Sequence, residues 1–229
     1  VAISNNFICI YDYETTGLNP EEVFPVEIAA AIIHPRKLEL VNNATFWSFC
    51  RPPNVDTITQ ELWEFHAKAN QCTVEEIKKK IYDAPPLEQV FKDFAMFLGN
   101  YQAEGTKRKS KFSAPILAGH NTDNYDNVIT KRLCKMYGFC DKNGEQNIVH
   151  PRDTIDLMKI CTLFFSGSAR PERYSFDCLR EYFGLEVEGG HTAITDVEQI
   201  GSVIIRFLKY FREIAARTNF EGSFVNAKS

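Results

Sequence analysis

Asp12 and Glu14 stand one residue apart at the end of the apolar run Phe7, Ile8, Cys9, Ile10, Tyr11, directly ahead of Thr15, Thr16 and Gly17. A short apolar run with polar flanks reads as a buried strand rather than a helix. Side chains alternate across a strand, so the two carboxylates share one face at its end. Acids held side by side repel unless a cation lies between them, and a divalent ion bound through oxygen ligands suits such a pair. A strand that simply ends in solvated charge is the other reading of these residues alone.

Helical spacing places two more acids inward. Asp126, Ile129, Thr130, Leu133, Cys134 and Tyr137 fall at three- and four-residue steps, which sets Asp126 on the apolar face at a helix start. Asp196 shares an edge with Ile200, Val203 and Phe207 on a long helix running towards Ala215. Burying an acid without a partner is costly, so each needs a reason to be there. His191 comes five residues before Asp196 and just after Gly189 and Gly190. Taken alone, a histidine at a helix start is a surface or capping residue.

The elements that must carry these groups follow from the same patterns. Val26–Ile33 and Thr45–Cys50 read as second and third strands, and their short connections predict an antiparallel meander. Glu27, inside the second run, reads as an edge charge or one held by a local hydrogen bond. Helices are expected over Thr59–His66 and Thr73–Ile81, each opened by a threonine cap, with Thr73 and Glu76 at capping-box spacing. A helix after Pro86 buries Val90, Phe91, Phe94, Phe97 and Leu98. Ala114–Gly119 is a short strand, and Thr122 or Asp123 is the expected cap of the helix starting near Asp126. Asp153–Met158 reads as a strand end turning into a helix, and Tyr174–Phe183 as another short helix. With no repeat or linker, a single domain is expected over 1–216 and a polar, frayed tail over 217–229. Lys107, Arg108, Lys109 and Lys111 form a basic loop, read as solvated surface or as a flap gripping phosphate.

At 229 residues, 44% hydrophobic and 24% charged, the chain has ordinary globular usage. A formal charge of −4 disfavours a broad electrostatic grip on duplex nucleic acid, but not a cleft holding a few nucleotides. No stretch approaches the roughly 20 apolar residues that span a bilayer, and no signal peptide is legible after Val1. Seven cysteines without a CxxC pair argue against a zinc or disulfide framework. They fit a reducing intracellular compartment, cytoplasm or nucleus.

Taken in order, Asp12-x-Glu14, Asn121-x-x-x-Tyr125-Asp126 and His191-x-Ala193-x-x-Asp196 resemble the three motifs of the DEDDh group of DnaQ-like 3′–5′ exonucleases. The resemblance runs from Asp12 to Asp196 and rests on the order, spacing and context of all three. Asp12–Leu18 looks like the first motif, and Asp153–Leu157 and Tyr174–Leu179 are similar to later segments of the family. Three residues separate Asn121 from Tyr125 where most members have two, a spacing similar to the bacterial exonuclease I branch. It leaves Asp123 as a competitor for the third acid. Asp126 is favoured because it follows an aromatic and opens the buried face. Tyr13, where many members carry a smaller residue, should point away from the acids.

The resemblance implies an α/β, RNase H-like fold: a mixed sheet of about five strands, the first three antiparallel, with helices on both faces. It implies that Asp12, Glu14, Asp126 and Asp196 hold two divalent ions, Mg²⁺ with Mn²⁺ as substitute, roughly 3.5–4 Å apart. His191 would be the general base, and Gly189 and Gly190 would let it move in as substrate arrives. Thr15, Thr16, Leu18 and Asn121, with His120 beside it, would touch the 3′-terminal nucleotide. The implied activity releases nucleoside 5′-monophosphates from a free 3′ end of single-stranded nucleic acid, DNA ahead of RNA. Trimming of small RNA or short oligonucleotides is the alternative. A non-catalytic nucleic-acid-binding or assembly module is the contrasting class, and the retained acids and histidine argue against it.

Overall fold

Alternation along Ile8–Thr15 gives strand β1 two faces with different partners. Cys9, Tyr11 and Tyr13 point into one core, while Ile8 and Ile10 point into another. Asp12 and Glu14 continue the Ile8–Ile10 face, and Tyr13 points away from them as expected. A computed structural model describes residues 5–106, 110–185 and 192–218 of the chain. The remaining strands are β2 (Pro25–Ile33), β3 (Leu40–Phe49), β4 (Ile116–Gly119) and β5 (Thr154–Asp156). The helices are α1 (Gln60–Ala69), α2 (Val74–Asp83), α3 (Leu87–Gly99), α4 (Asp126–Met136), α5 (Leu157–Phe164), α6 (Phe176–Phe183) and α7 (Ala193–Arg217).

The strands form one mixed sheet in the order β3-β2-β1-β4-β5. The first three are antiparallel, and β4 and β5 join parallel to β1. Helices α3 and α4 cover one face through Phe91, Phe94, Leu98, Ile129 and Leu133. Helices α5, α6 and α7 cover the other through Leu157, Cys161, Leu179, Val197, Ile200 and Ile204. Small residues at Ala29, Ala31 and Gly201 let α7 lie close across β1 and β2. Helices α1 and α2 pack Trp63, Ile77 and Ile81 on Val26 in a smaller cluster. Cys9, Cys50, Cys134 and Cys161 are buried as small hydrophobes. Among the described residues, no helix is long and apolar enough to cross a membrane.

One feature of register makes room for a site. Strand β4 pairs with β1 only from Ile8 to Ile10, so the acid-bearing end of β1 runs on past its neighbour. A crevice opens there, at the carboxyl ends of the strands and where the chain changes sides of the sheet, as in other open α/β sheets.

The expected elements form with shifted ends. Thr59 and Thr73 cap α1 and α2, the latter through a full capping box with Glu76. Strand β3 begins at Leu40 rather than Thr45, because pairing of Leu40 with Ile33 extends an exposed edge strand that hydrophobicity does not mark. The cap of α4 differs more. Neither Thr122 nor Asp123 caps it; the N-cap is Tyr125, without a side-chain bond. Thr122 instead donates to the buried Tyr11 hydroxyl, and Asp123 pairs with Lys159 and accepts from Asn127. Lys107, Arg108 and Lys109, and the tail from 219, lie outside the described residues.

Phe94 is fully buried against Tyr11, Phe46 and Phe91, with ring centroids 6.4, 5.5 and 6.1 Å away. Phe94→Ala should cost about 3–5 kcal/mol. The check is a lower urea midpoint at unchanged denaturant slope.

Candidate active site

Three elements converge on the crevice. Strand β1 brings Asp12 and Glu14, and α7 packs its first turn across the same face and brings Asp196. Carboxylate oxygens of these three residues lie within 4.8 Å of one another. Asp126, at the first position of α4, enters from the other side of the sheet and lines the same cleft of about 540 Å³. It is not within the 4.8 Å group formed by the other three.

The electrostatics are those of a site built for positive charge. Burial pushes the Asp12 carboxyl well above its ordinary range, and repulsion from Asp126, Asp196 and Glu14 adds to it. Glu14 is raised in the same way by burial, then by Glu27, Asp196 and Asp126, while Arg180 opposes. Burial also lifts Asp126 to about 7, although backbone N–H groups of Asp126 and Tyr13 pull the other way. One Asp126 oxygen, Oδ1, is buried with no hydrogen-bond partner. An unpartnered buried oxygen beside three crowded carboxylates fits a hard divalent cation, whose ligands are oxygens.

Several side chains outside the three acid motifs hold this arrangement. Arg180 is 2% exposed. Its guanidinium donates to Gln199 Oε1 and Asp177 Oδ1, each at 2.7 Å, and pairs with Asp196. It also stacks 4.2 Å from the Phe176 ring. Phe176, Leu179, Arg180 and Phe183 follow the same inward spacing that marks Asp126 and Asp196, so the signal was present in the sequence.

Glu27 is buried on an inner strand, opposite Glu14 in the register, not at an edge. The Trp47 indole donates to it at 2.6 Å, and the Ala193 backbone N–H at the start of α7 also donates. Glu27 thus ties β2 to the helix that carries Asp196. Burial raises its pKa, and the two donors oppose that rise.

On the opposite wall, the buried Asp156 carboxylate accepts from the backbone N–H groups of Asn121, Asp123 and Met158 at 3.0, 3.2 and 2.9 Å. One acid therefore shapes the β4–α4 loop and caps α5. Within that loop Asn121 has φ +55°, a left-handed conformation that asparagine tolerates. Gly119, two residues before it, is closely packed: a Cβ would come 3.1 Å from the Tyr11 carbonyl oxygen.

The turn after Glu14 is equally constrained. The Tyr125 hydroxyl donates to the Gly17 carbonyl at 2.5 Å and lies 2.6 Å from Thr15 Oγ1. His66 Nε2 lies 3.0 Å from the Thr15 carbonyl. A carbonyl only accepts, so Nε2 carries the proton. The His66 Nδ1 is 4.0 Å from a Glu14 oxygen. Burial lowers the His66 pKa, so the ring is neutral near pH 7. Thr16 Oγ1 accepts from the Phe24 N–H and from Asn54, which occupies it structurally. Leu18 is 91% exposed. Asn121, His120, Arg173 and Ser175 line the cleft with the acids, and His120 Nε2 is bound to the Tyr174 carbonyl at 2.6 Å. Asp123 is turned away into a neighbouring hollow. Burial acts to raise its carboxyl, but Lys159 and Thr154 hold it below the usual range. His191, Gly189 and Gly190 lie outside the described residues.

A five-stranded mixed sheet with helices on both faces and an acid-lined cleft at the carboxyl end of its central strand is the RNase H-like architecture. Residues 9–204 match the family model described as an exonuclease, that of RNase T, and the chain belongs to that exonuclease family. Cell-death related nuclease 4 (CRN-4) superposes with a TM-score of 0.62 at 16% identity, over 90% of this chain and 64% of that one. E. coli exonuclease I in complex with a dT13 oligonucleotide gives 0.63 at 16% identity, over 93% and 44%. Exonuclease I from Methylocaldum szegediense gives 0.61 at 15%, over 87% and 40%. The chain thus spans less than two thirds of the length of each of these structures, and the likeness is one of fold. No curated protein matches the sequence significantly.

The raised Asp126 pKa has a consequence for stability without divalent ions. Its folded value near 7 exceeds the unfolded 3.8, so its ionisation destabilises the fold fully above about pH 7 and not at all below pH 3.8. Asp126→Asn should therefore stabilise the ion-free protein at pH 8. The gain should shrink as the pH falls through 7 towards 4, read as the difference in thermal midpoint between the two proteins in EDTA.

Proposed function

We propose that this enzyme is a divalent-metal-dependent exonuclease that removes nucleoside 5′-monophosphates from the 3′ end of single-stranded nucleic acid, with DNA preferred. The observation that carries the reading is the cluster of Asp12, Glu14 and Asp196 within 4.8 Å, facing Asp126 with its unpartnered oxygen. The family and the likeness to exonuclease I, whose structure includes a dT13 oligonucleotide, support nucleic acid as substrate.

Asp12, Glu14, Asp126 and Asp196 would hold two ions, Mg²⁺ or Mn²⁺. Bound there, such ions acidify the attacking water and neutralise charge on the leaving 3′ oxygen. His191, directly ahead of the first turn of α7 in the sequence, is the proposed general base, since an imidazole near pKa 6.5 can take a proton at neutral pH. Arg180 holds the Asp196 carboxylate in place, and Glu27 fixes the start of its helix. The turn clamped by Tyr125 and His66 would seat the terminal nucleotide at Thr15 and Thr16. Leu18, exposed beside it, would press on the terminal base. Asn121 and Arg173 face the acids across the cleft, where Arg173 can meet a phosphate.

The test uses 3′- and 5′-labelled DNA and RNA oligomers, single- and double-stranded, with Mg²⁺, Mn²⁺ or EDTA. Stepwise 3′ shortening is expected, fastest on single-stranded DNA and abolished by EDTA. Faster RNA cleavage would instead favour an exoribonuclease, and endonucleolytic products or activity in EDTA would sink the mechanism. Removal of groups merely supporting metal ligands costs 10–100-fold, so Asp12→Ala should lower kcat by at least about 100-fold.

Two further substitutions separate roles. His191→Ala should slow turnover by about 10²–10⁴-fold with metal binding retained. Asp123→Ala should stay near wild-type activity while Asp126→Ala loses it. The reverse result would make Asp123 the third acid.

A further inference from the structure

Beside the acid cleft, two adjoining hollows of about 310 Å³ each run along the outer side of α4. They share Lys131, Gln146, Pro151 and Arg152 as walls, so they form one continuous groove. Its inner end is lined by Asp123 and Asn124. These belong to the same short loop whose Asn121 and Tyr125 line the acid cleft, so groove and cleft lie on the two sides of one wall.

The charge in this groove is unlike that of the protein as a whole. The chain carries a net −4, yet Lys131, Lys135 and Arg152 converge here with no acidic partner among the described residues. Lys131 and Lys135 are one helical turn apart, so both project from the same side of α4. The other cations of the groove are already paired: Lys111 with Asp141 and Glu145, Lys159 with Asp123. At the outer end Phe112 is 49% exposed. Arg152 and Lys111 lie over its ring at 5.4 and 6.0 Å, and His150 meets it edge-on at 6.1 Å. An exposed ring among cations is a surface on which a base can stack, while the unpaired cations follow a backbone.

We propose that this groove binds the phosphodiester backbone of the substrate strand upstream of its 3′ end, with Lys131, Lys135 and Arg152 on phosphates and Phe112 stacking on a base. The proposal rests on the reading of the cleft as the seat of the 3′ terminus. It explains why three cations stay unpaired beside a strongly acidic site. The acids hold the reacting end, and the groove supplies a cationic grip on the strand beyond the cleft. Recognition of this kind is indifferent to base sequence and sensitive to strand length and salt.

The test measures binding of fluorescent single-stranded DNA, a dinucleotide and a strand of about ten nucleotides, by anisotropy in EDTA over a range of salt. The triple variant Lys131→Gln, Lys135→Gln, Arg152→Gln is compared with wild type, with Phe112→Ala, and with Lys79→Gln outside the groove. The triple variant should bind the longer strand at least about tenfold more weakly, and its slope of log affinity against log salt should fall by about 2, since each single-strand phosphate contact contributes about 0.7. Phe112→Ala should weaken the longer strand at least about fivefold and leave the salt slope unchanged. Lys79→Gln should change neither quantity. Unchanged affinity and slope in the triple variant would overturn the groove, and so would equal loss on the dinucleotide and the longer strand. Failure of the cleavage reading would show separately, as wild-type protein that leaves 3′ ends intact in Mg²⁺ whatever these slopes are.

Discussion

Mutual repulsion among partly desolvated carboxylates is the constraint on which this structure turns. Burial raises the proton affinity of Asp12 and Glu14, and the charges of Asp126 and Asp196 raise both further. Such a cluster does not hold itself together. Its members must be fixed by backbone and by neighbours that cost more to move than the repulsion can repay. The rigid centre of a sheet supplies two of them, and the first turns of two helices supply the others.

The supporting residues form a frame around the acids rather than part of the reacting surface. Arg180 brings one fixed positive charge to Asp196, held in turn by Gln199 and Asp177. Glu27 ties β2 to the start of α7, so the sheet and the helix that face each other across the site are joined directly. Asp156 binds three backbone N–H groups and sets the wall that leads into α4. His66 and Tyr125 both bind backbone carbonyls of the turn after Glu14. Every side of the cleft described here is thus locked by at least one buried polar contact, and buried hydrogen bonds gain rigidity from the low local dielectric.

This division of labour also separates charge by function. Negative charge is gathered at the strand end, in Asp12, Glu14 and Asp196. Unpaired positive charge lies beyond the β4–α4 wall, on the outer side of α4. A polyanion is attracted by the second region and repelled by the first. Position along the strand, rather than base identity, is what such a surface can read.

The periodicity of the sequence was enough to place most of the elements, though not the first half of β3, and to turn Asp12, Glu14, Asp126 and Asp196 inward. Strand and helix periods depend only on local backbone geometry, so they are written locally. The antiparallel meander, through its short connections, and the Thr73–Glu76 capping box are legible for the same reason. What periodicity could not decide is which side chains meet. Glu27 reads locally as an edge charge or one held by a local hydrogen bond, because its partners, Trp47 and Ala193, come from another strand and from a helix far along the chain. Thr122 and Asp123 looked like caps, but Tyr11 and Lys159 outbid the α4 backbone for them. The opening pair shows the limit most clearly. Alternation placed Asp12 and Glu14 on one face, but only the close packing of α7 on that face brings Asp196 within 4.8 Å of both. Contacts of that range depend on sheet order and helix docking, which no local period contains.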